Sequence, residues 1–169
     1  NAGALALDQL AHPGNMRVGL GAVEGRPVAI GPMSFVRENG EIVKGAEEED
    51  MQQICDSFAR AACYMKKAGF DGVQIHAAHG WLLAQFLSER CNQRDDIYGG
   101  SEEKRCNFPV RVIKAVREAV GDDFILEIRL SGQETGVPGG YGISQVVTFA
   151  QMVDGIADII SVSNGHYNL

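Results

Sequence analysis

The chain has 169 residues, 45% of them apolar and 22% charged, with a formal net charge of −7. That is long enough for one domain with a sizeable core. The acidic balance speaks against non-specific nucleic-acid binding, which needs a basic surface, and no apolar run approaches membrane-spanning length. Neither a nucleic acid nor a membrane is expected as a partner.

Ala4 to Leu10 reads as a strand, with Ala11-His12-Pro13-Gly14 as its exit turn. Residues 15–45 carry many glycines, the turn residues Pro27 and Pro32, and short apolar snatches such as Val28 to Ile30. They read as a long excursion containing a small hairpin, and loops of that length are uncommon unless functional. Glu47 to Ala68 is the strongest predicted helix. Ile54, Phe58, Ala61, Ala62 and Met65 fall on one face, acidic residues open it, Lys66 and Lys67 close it, and Gly69 stops it. The acidic opening, Glu47 to Asp50, reads as solvated.

A short buried strand follows at Gly72 to Ile75 and ends in His76. His79 comes three residues later, then Gly80, Trp81, an apolar helical turn from Leu82 to Leu87, and a polar loop closing at Tyr98-Gly99-Gly100. Ser101 is placed to cap a helix running to about Val120, with Pro109 inside the pattern expected to disturb it or to mark its true start. Phe124 to Leu130 reads as a strand and Ser131 to Gly142 as a loop. Ser144 reads as the cap of a last helix, and Asp158 to Val162 as a last strand.

This βα alternation with apolar strands means a parallel sheet covered by helices, with no linker dividing the chain. Side chains alternate along a strand, so Gln74 and His76 share one face, as do Glu127 and Arg129. The first strand ends near Gln9 and the last near Ser163 and Asn164. A sheet with helices on both sides would not turn Gln, Glu and Arg inward. A closed (β/α) barrel with a polar site at the carboxyl ends of its strands would. An amide from Gln9 both donates and accepts, Arg129 adds a permanent positive charge, and the two histidines are placed to hold an electron-withdrawing oxygen.

Several pieces carry a family likeness: Gln9-Leu10-Ala11-His12-Pro13-Gly14, the run Gly69 to Gly80, Gln85-Phe86-Leu87-Ser88, and Asn92-Gln93-Arg94 with Tyr98-Gly99-Gly100-Ser101. Ile128-Arg129-Leu130-Ser131 and Gly139-Gly140-Tyr141 extend it. On these the chain resembles the old yellow enzyme family of FMN-dependent oxidoreductases, notably its bacterial ene-reductase and 2-enoate-reductase-like branch. The resemblance implies a (β/α)8 TIM barrel holding FMN at its mouth, with NAD(P)H as electron donor. It implies that Gln9 and Arg129 contact the flavin pyrimidine edge. His76 and His79 would bind the activating oxygen of a small-molecule substrate, an enone or enoate, so that flavin delivers hydride to its C=C bond.

Two departures stand out. Trp81 occupies a position where many relatives have a proton-donating Tyr, and an indole N–H is no useful acid. Tyr167 or His166 is the substitute acid that the resemblance suggests, with Trp81 lining the substrate pocket. Only about four of the eight βα units are present, matching strands three to six, so residues 1–169 read as a single partial-barrel domain and as a piece of a longer chain. Without the opening strands and phosphate loops it is expected not to hold FMN tightly, and an iron–sulfur cluster would belong only to a longer chain. Amine dehydrogenation on the same barrel is the alternative chemistry. A non-catalytic partial barrel that self-associates as a homo-oligomer to cover open edges is the alternative of another class.

The bland readings remain beside these. His-x-x-His lacks a third ligand, so no metal is expected. Arg129 could simply pair with Glu127, Arg94 to Asp96 read as a loop-fixing ion cluster, and His12 reads as structural. Cys55, Cys63, Cys91 and Cys106 share neither metal spacing nor a disulfide framework, and read as free thiols in a reducing, cytoplasmic compartment.

Overall fold

A computed structural model describes residues 3–16, 28–136 and 138–165. Its centre is a parallel sheet of β1 (Leu7–Leu10), β5 (Gly72–Ala77), β6 (Ile125–Ser131) and β7 (Ile159–Ser163), in that spatial order. Each new strand is laid beside the one before it, so the order never reverses as it does at the switch point of a doubly wound sheet. The connections are helical: α1 (Glu48–Lys67), then α2 (Leu82–Leu87) with α3 (Glu102–Val120), then α4 (Ile143–Met152). The first connection also carries a small sheet of β2 (Ala29–Gly31), β3 (Phe35–Val36) and β4 (Ile42–Gly45), in which β3 and β4 form the expected hairpin and β2 adds in parallel.

Burial separates the two faces of the main sheet. Val73, Ile75, Leu126, Ile128 and Leu130 are fully buried beneath the helices. Gln74, Glu127 and Arg129, which alternate with them, are only half-buried. The helix face is therefore the apolar core, and the other face carries polar side chains, with His76 and Arg129 toward the carboxyl ends of their strands, where a barrel places its site.

α1 forms because its apolar residues recur at helical spacing. Met51, Ile54, Cys55, Phe58 and Ala62 are buried against the core. Its start is not merely solvated: the Glu47 N–H donates to Asp50 Oδ2 at 2.9 Å, Asp50 pairs with Lys44 at 2.7 Å, and Glu48 accepts from Tyr98 Oη at 2.9 Å and pairs with Arg111. α3 starts at Ser101 as expected, the Ser101 hydroxyl accepting from the Lys104 N–H at 3.3 Å. It runs straight through Pro109, which neither starts nor ends it. A mid-helix proline costs about 3 kcal/mol. Burying Phe108, Val112, Ile113 and Val116 recovers about 1.5–3 kcal/mol each, so packing outweighs the lost bond.

Other boundaries differ from expectation. The first strand starts at Leu7, not Ala4; the Ala6 N–H is taken instead by the Asp71 carboxylate at 2.8 Å. The cap of α4 is Gly142, not Ser144, whose hydroxyl donates to Glu102 Oε2 at 2.8 Å. The four cysteines are free thiols. No helix among the described residues is long and apolar enough to cross a membrane.

Candidate active site

The site grows from the carboxyl end of β5. Strand pairing sets Gln9, Gln74 and Glu127 side by side, and one step further along sets His76, Arg129 and Ser161 side by side. Residues paired across a parallel sheet point to the same side, so amide, imidazole and guanidinium all lie on the polar face. The Gln9 amide donates to the Gln74 carboxamide oxygen, which uses one of its two amide protons. Glu127 accepts from the Ser161 hydroxyl. Among the described residues no carboxylate forms an ion pair with Arg129, so pairing with Glu127 does not account for it.

Beyond β5 the chain turns sharply. His79 has φ 55° and Gly80 φ 75°. Left-handed backbone at a non-glycine residue is uncommon and persists where the surroundings enforce it. Here the His79 N–H donates to Ser131 Oγ at 3.0 Å, and Ser163 Oγ lies 2.9 Å from His79 Nε2. The turn brings His79 to 5.1 Å from His76 between ring centroids, and Trp81 meets the His76 ring edge-on at 5.5 Å. Trp81 thus walls the first histidine.

From behind, Gln85 locks the turn. Fully buried, it donates to Pro13 O at 3.2 Å and Gly80 O at 2.7 Å, and accepts from the Asn15 N–H at 3.0 Å. His12 is structural, its Nδ1 accepting from the Gly14 N–H at 3.0 Å. The loop after α2 is fixed by Asn92, which donates to Phe86 O and Tyr98 O, both at 2.7 Å. Arg94 fixes it too, pairing with Asp96 and donating to Pro32 O and Ala46 O.

Electrostatics keep both histidines neutral. Burial, then the neighbouring His79, then Arg129 push the His76 imidazole down to about 4. Burial and then Arg129 lower His79 as well. His76 is 4% exposed, and its Nδ1 is buried without a hydrogen-bond partner among the described residues. Among the described residues the face therefore presents two neutral imidazoles, one with an orphaned polar atom, beside a guanidinium without an anionic partner. A planar group rich in hydrogen-bonding edges, able to carry negative charge, fits that set, and a flavin is such a group.

Of the residues singled out in the sequence, Gln9, His76, His79, Trp81 and Arg129 come together here, whereas Tyr167 and His166 lie outside the described residues. Sequence reasoning overlooked Ser163 and Ser131 as partners of His79, and Gln85 as the lock. Two of the three lay within quoted motifs, but as strand-end or helix-turn residues they carried no separate signal.

Sequentially ordered parallel strands with a polar site at their carboxyl ends define a segment of a (β/α) barrel. Comparison with known proteins names it further. The chain belongs to the NADH:flavin oxidoreductase / NADH oxidase family, whose pattern matches residues 3–167. It is 38% identical over 168 residues to the NADPH dehydrogenase of Clostridium acetobutylicum, covering 95% of this chain and 48% of that protein. Among solved structures it is similar to the old yellow enzyme homologue from Zymomonas mobilis (TM-score 0.80, 27% identity, 99% of this chain and 50% of that one). It is also similar to histamine dehydrogenase from Rhizobium sp. 4-9 (TM-score 0.84, 32% identity, 98% of this chain and 24% of that one). The fold is thus part of the TIM barrel of old yellow enzyme-like proteins, and the chain spans half or less of the length of these relatives. Membership implies FMN and NAD(P)H as the cofactors.

Proposed function

We propose that residues 1–169 form a single partial-barrel domain, the central part of an FMN-dependent ene-reductase that uses NAD(P)H to reduce an activated C=C bond of a small enone or enoate. Bound FMN would supply the hydride. In this reading Gln9 and Arg129 contact the flavin pyrimidine edge, Arg129 holding positive charge where the reduced ring is negative. His76 and His79 donate hydrogen bonds from neutral rings to the substrate's activating oxygen, Trp81 bounds the substrate, and Tyr167 supplies the proton to the other alkene carbon. The single observation carrying the reading is the pairing of His76 with Arg129 on adjacent strands, with the guanidinium lacking an anionic partner among the described residues. Four free thiols support a reducing, cytoplasmic location.

Amine dehydrogenation is a second reading, supported by the likeness to histamine dehydrogenase. A self-associating partial barrel is a third. It is supported by exposed apolar side chains on the outer side of β7 and on α4: Val162 (64% exposed), Ile143 (63%) and Val147 (47%).

Titration of the purified chain with FMN tests these. Quenching of flavin fluorescence by the wild type, weakened about tenfold or more in Arg129→Met, supports the flavin site; no quenching by either protein refutes it for this chain. Mixing the reduced complex with enones, and the oxidised complex with amines, separates the two chemistries. Sedimentation without flavin reports self-association.

A further inference from the structure

Ser131 and Ser163 are cross-strand partners at the carboxyl ends of β6 and β7, and both hydroxyls reach back to the same residue. Ser131 Oγ accepts from the His79 backbone N–H at 3.0 Å and donates to Gly165 O at 3.0 Å. That hydroxyl is committed in both directions, and it pins the left-handed turn at φ 55°. Ser163 Oγ lies 2.9 Å from the ring nitrogen Nε2.

We infer that Ser163 is a positioning residue that selects the tautomer of His79: its hydroxyl donates to Nε2, so the single ring proton of the neutral imidazole sits on Nδ1. The reasoning is one of hydrogen-bond accounting. A neutral imidazole has one donor and one acceptor nitrogen, and burial together with Arg129 favours the neutral ring. If Nε2 carried the proton and donated to Ser163, the half-buried serine hydroxyl would have no acceptor among the bonds found for the described residues. With Nε2 bare, the Ser163 hydroxyl and Nε2 satisfy each other, and the one ring N–H is left on the opposite edge, where a ligand oxygen can accept it.

Ring placement agrees. Gly165 lies against Cδ2 of His79, a Cβ there falling 3.8 Å away. The Nε2–Cδ2 edge therefore packs on the β6–β7 end of the sheet, and Nδ1 is on the opposite edge of the ring. The consequence for the reaction rests on the flavin-site reading above. A substrate oxygen at this site would be held by an N–H on the Nδ1 edge, on a ring fixed at two points. Positioning of a histidine tautomer by the bond at its other nitrogen is a general device.

The test is made on the chain as it stands, with ¹⁵N-labelled histidine and no flavin. The wild type is expected to show a protonated-type Nδ1 and a bare-type Nε2 at His79. In Ser163→Ala the ratio of the two tautomers should move toward Nε2–H by roughly two- to tenfold, the worth of one hydrogen bond. The His79 pKa should also rise, because a bond that favours the neutral ring is lost. Ser163→Thr should keep the wild-type pattern. Should Ser163→Ala fail to fold, Ser163→Thr against Ser163→Val makes the same comparison. A protonated Nε2 in the wild type, or a tautomer ratio indifferent to removing the hydroxyl, overturns the inference. Because the readout needs no flavin, a chain that fails to bind FMN yet shows the tautomer shift refutes the flavin site and leaves this assignment standing.

Discussion

His76 makes acid stability a direct probe of the site. In the unfolded chain its imidazole titrates at the ordinary value of 6.5; in the fold, burial with His79 and Arg129 pushes it down to about 4. Above pH 6.5 the ring is neutral in both states and contributes no pH dependence. Between pH 6.5 and pH 4 the unfolded chain takes up a proton that the folded chain refuses, so stability falls as the solution is acidified. Below about pH 4 both states are protonated and the loss levels off. One proton corresponds to about 1.4 kcal/mol per pH unit, so the window is worth about 3 kcal/mol. His76→Phe removes the group, keeps an aromatic ring against Trp81, and leaves no buried nitrogen unpaired. Urea midpoints for both proteins should be taken at several pH values from 7.5 to 4. Subtracting the variant removes the shared acid dependence of Glu48, Asp50, Asp96 and Asp158, whose pKa values the fold lowers. The wild type should lose about 3 kcal/mol relative to His76→Phe across the window, with nearly all of the loss below pH 6.5. Parallel curves would show that His76 is not held neutral, and the account of the site as a pair of uncharged donors would be wrong.

Gly14 and Asn92 test the scaffold behind the histidines. Gly14 has φ +62°, and a Cβ there would lie 2.6 Å from Gln85 Nε2 and 2.7 Å from Cδ. Gly14→Ala should cost about 4 kcal/mol in urea unfolding: about 1–2 for the left-handed backbone and about 1 for each of the Gln85 bonds it displaces. In a Gln85→Ala background the same change should cost only the backbone share, a non-additivity expected of neighbours; equal costs in both backgrounds would remove Gln85 from the explanation. Asn92→Ala strips a donor from two carbonyls at once and should cost about 2–3 kcal/mol. Amide exchange in the loop from Gln93 to Ser101 should quicken, and unchanged protection would mean that Arg94 and the Tyr98 and Asn107 contacts hold the loop without Asn92.

Much of this was open to reading from the residues in order. Helix α1 announces itself by spacing and by its charged ends. The polar face of the sheet follows from period-two alternation, which puts Gln74 with His76 and Glu127 with Arg129 whatever the rest of the chain does. Both are local properties, set by backbone geometry within a few residues. Pro109 shows the limit of local reasoning: propensity argued for a disturbed helix or a start near the proline, and the buried face of α3 overrode it.

What the linear chain could not state is who meets whom across strands. The register that sets His76 beside Arg129, and Ser131 beside Ser163, is decided by how α1, α3 and α4 pack beneath the sheet. Gly80 marks the turn, but the left-handed backbone at His79 itself carries no local signal and is held because Ser131, 52 residues away, takes its amide. Gln85 looks like any polar residue on a short helix until the fold closes over it. Chain order determined the elements and the side of the sheet for each polar group. Tertiary packing alone decided the distances, because only burial makes one hydrogen-bonding arrangement cheaper than water.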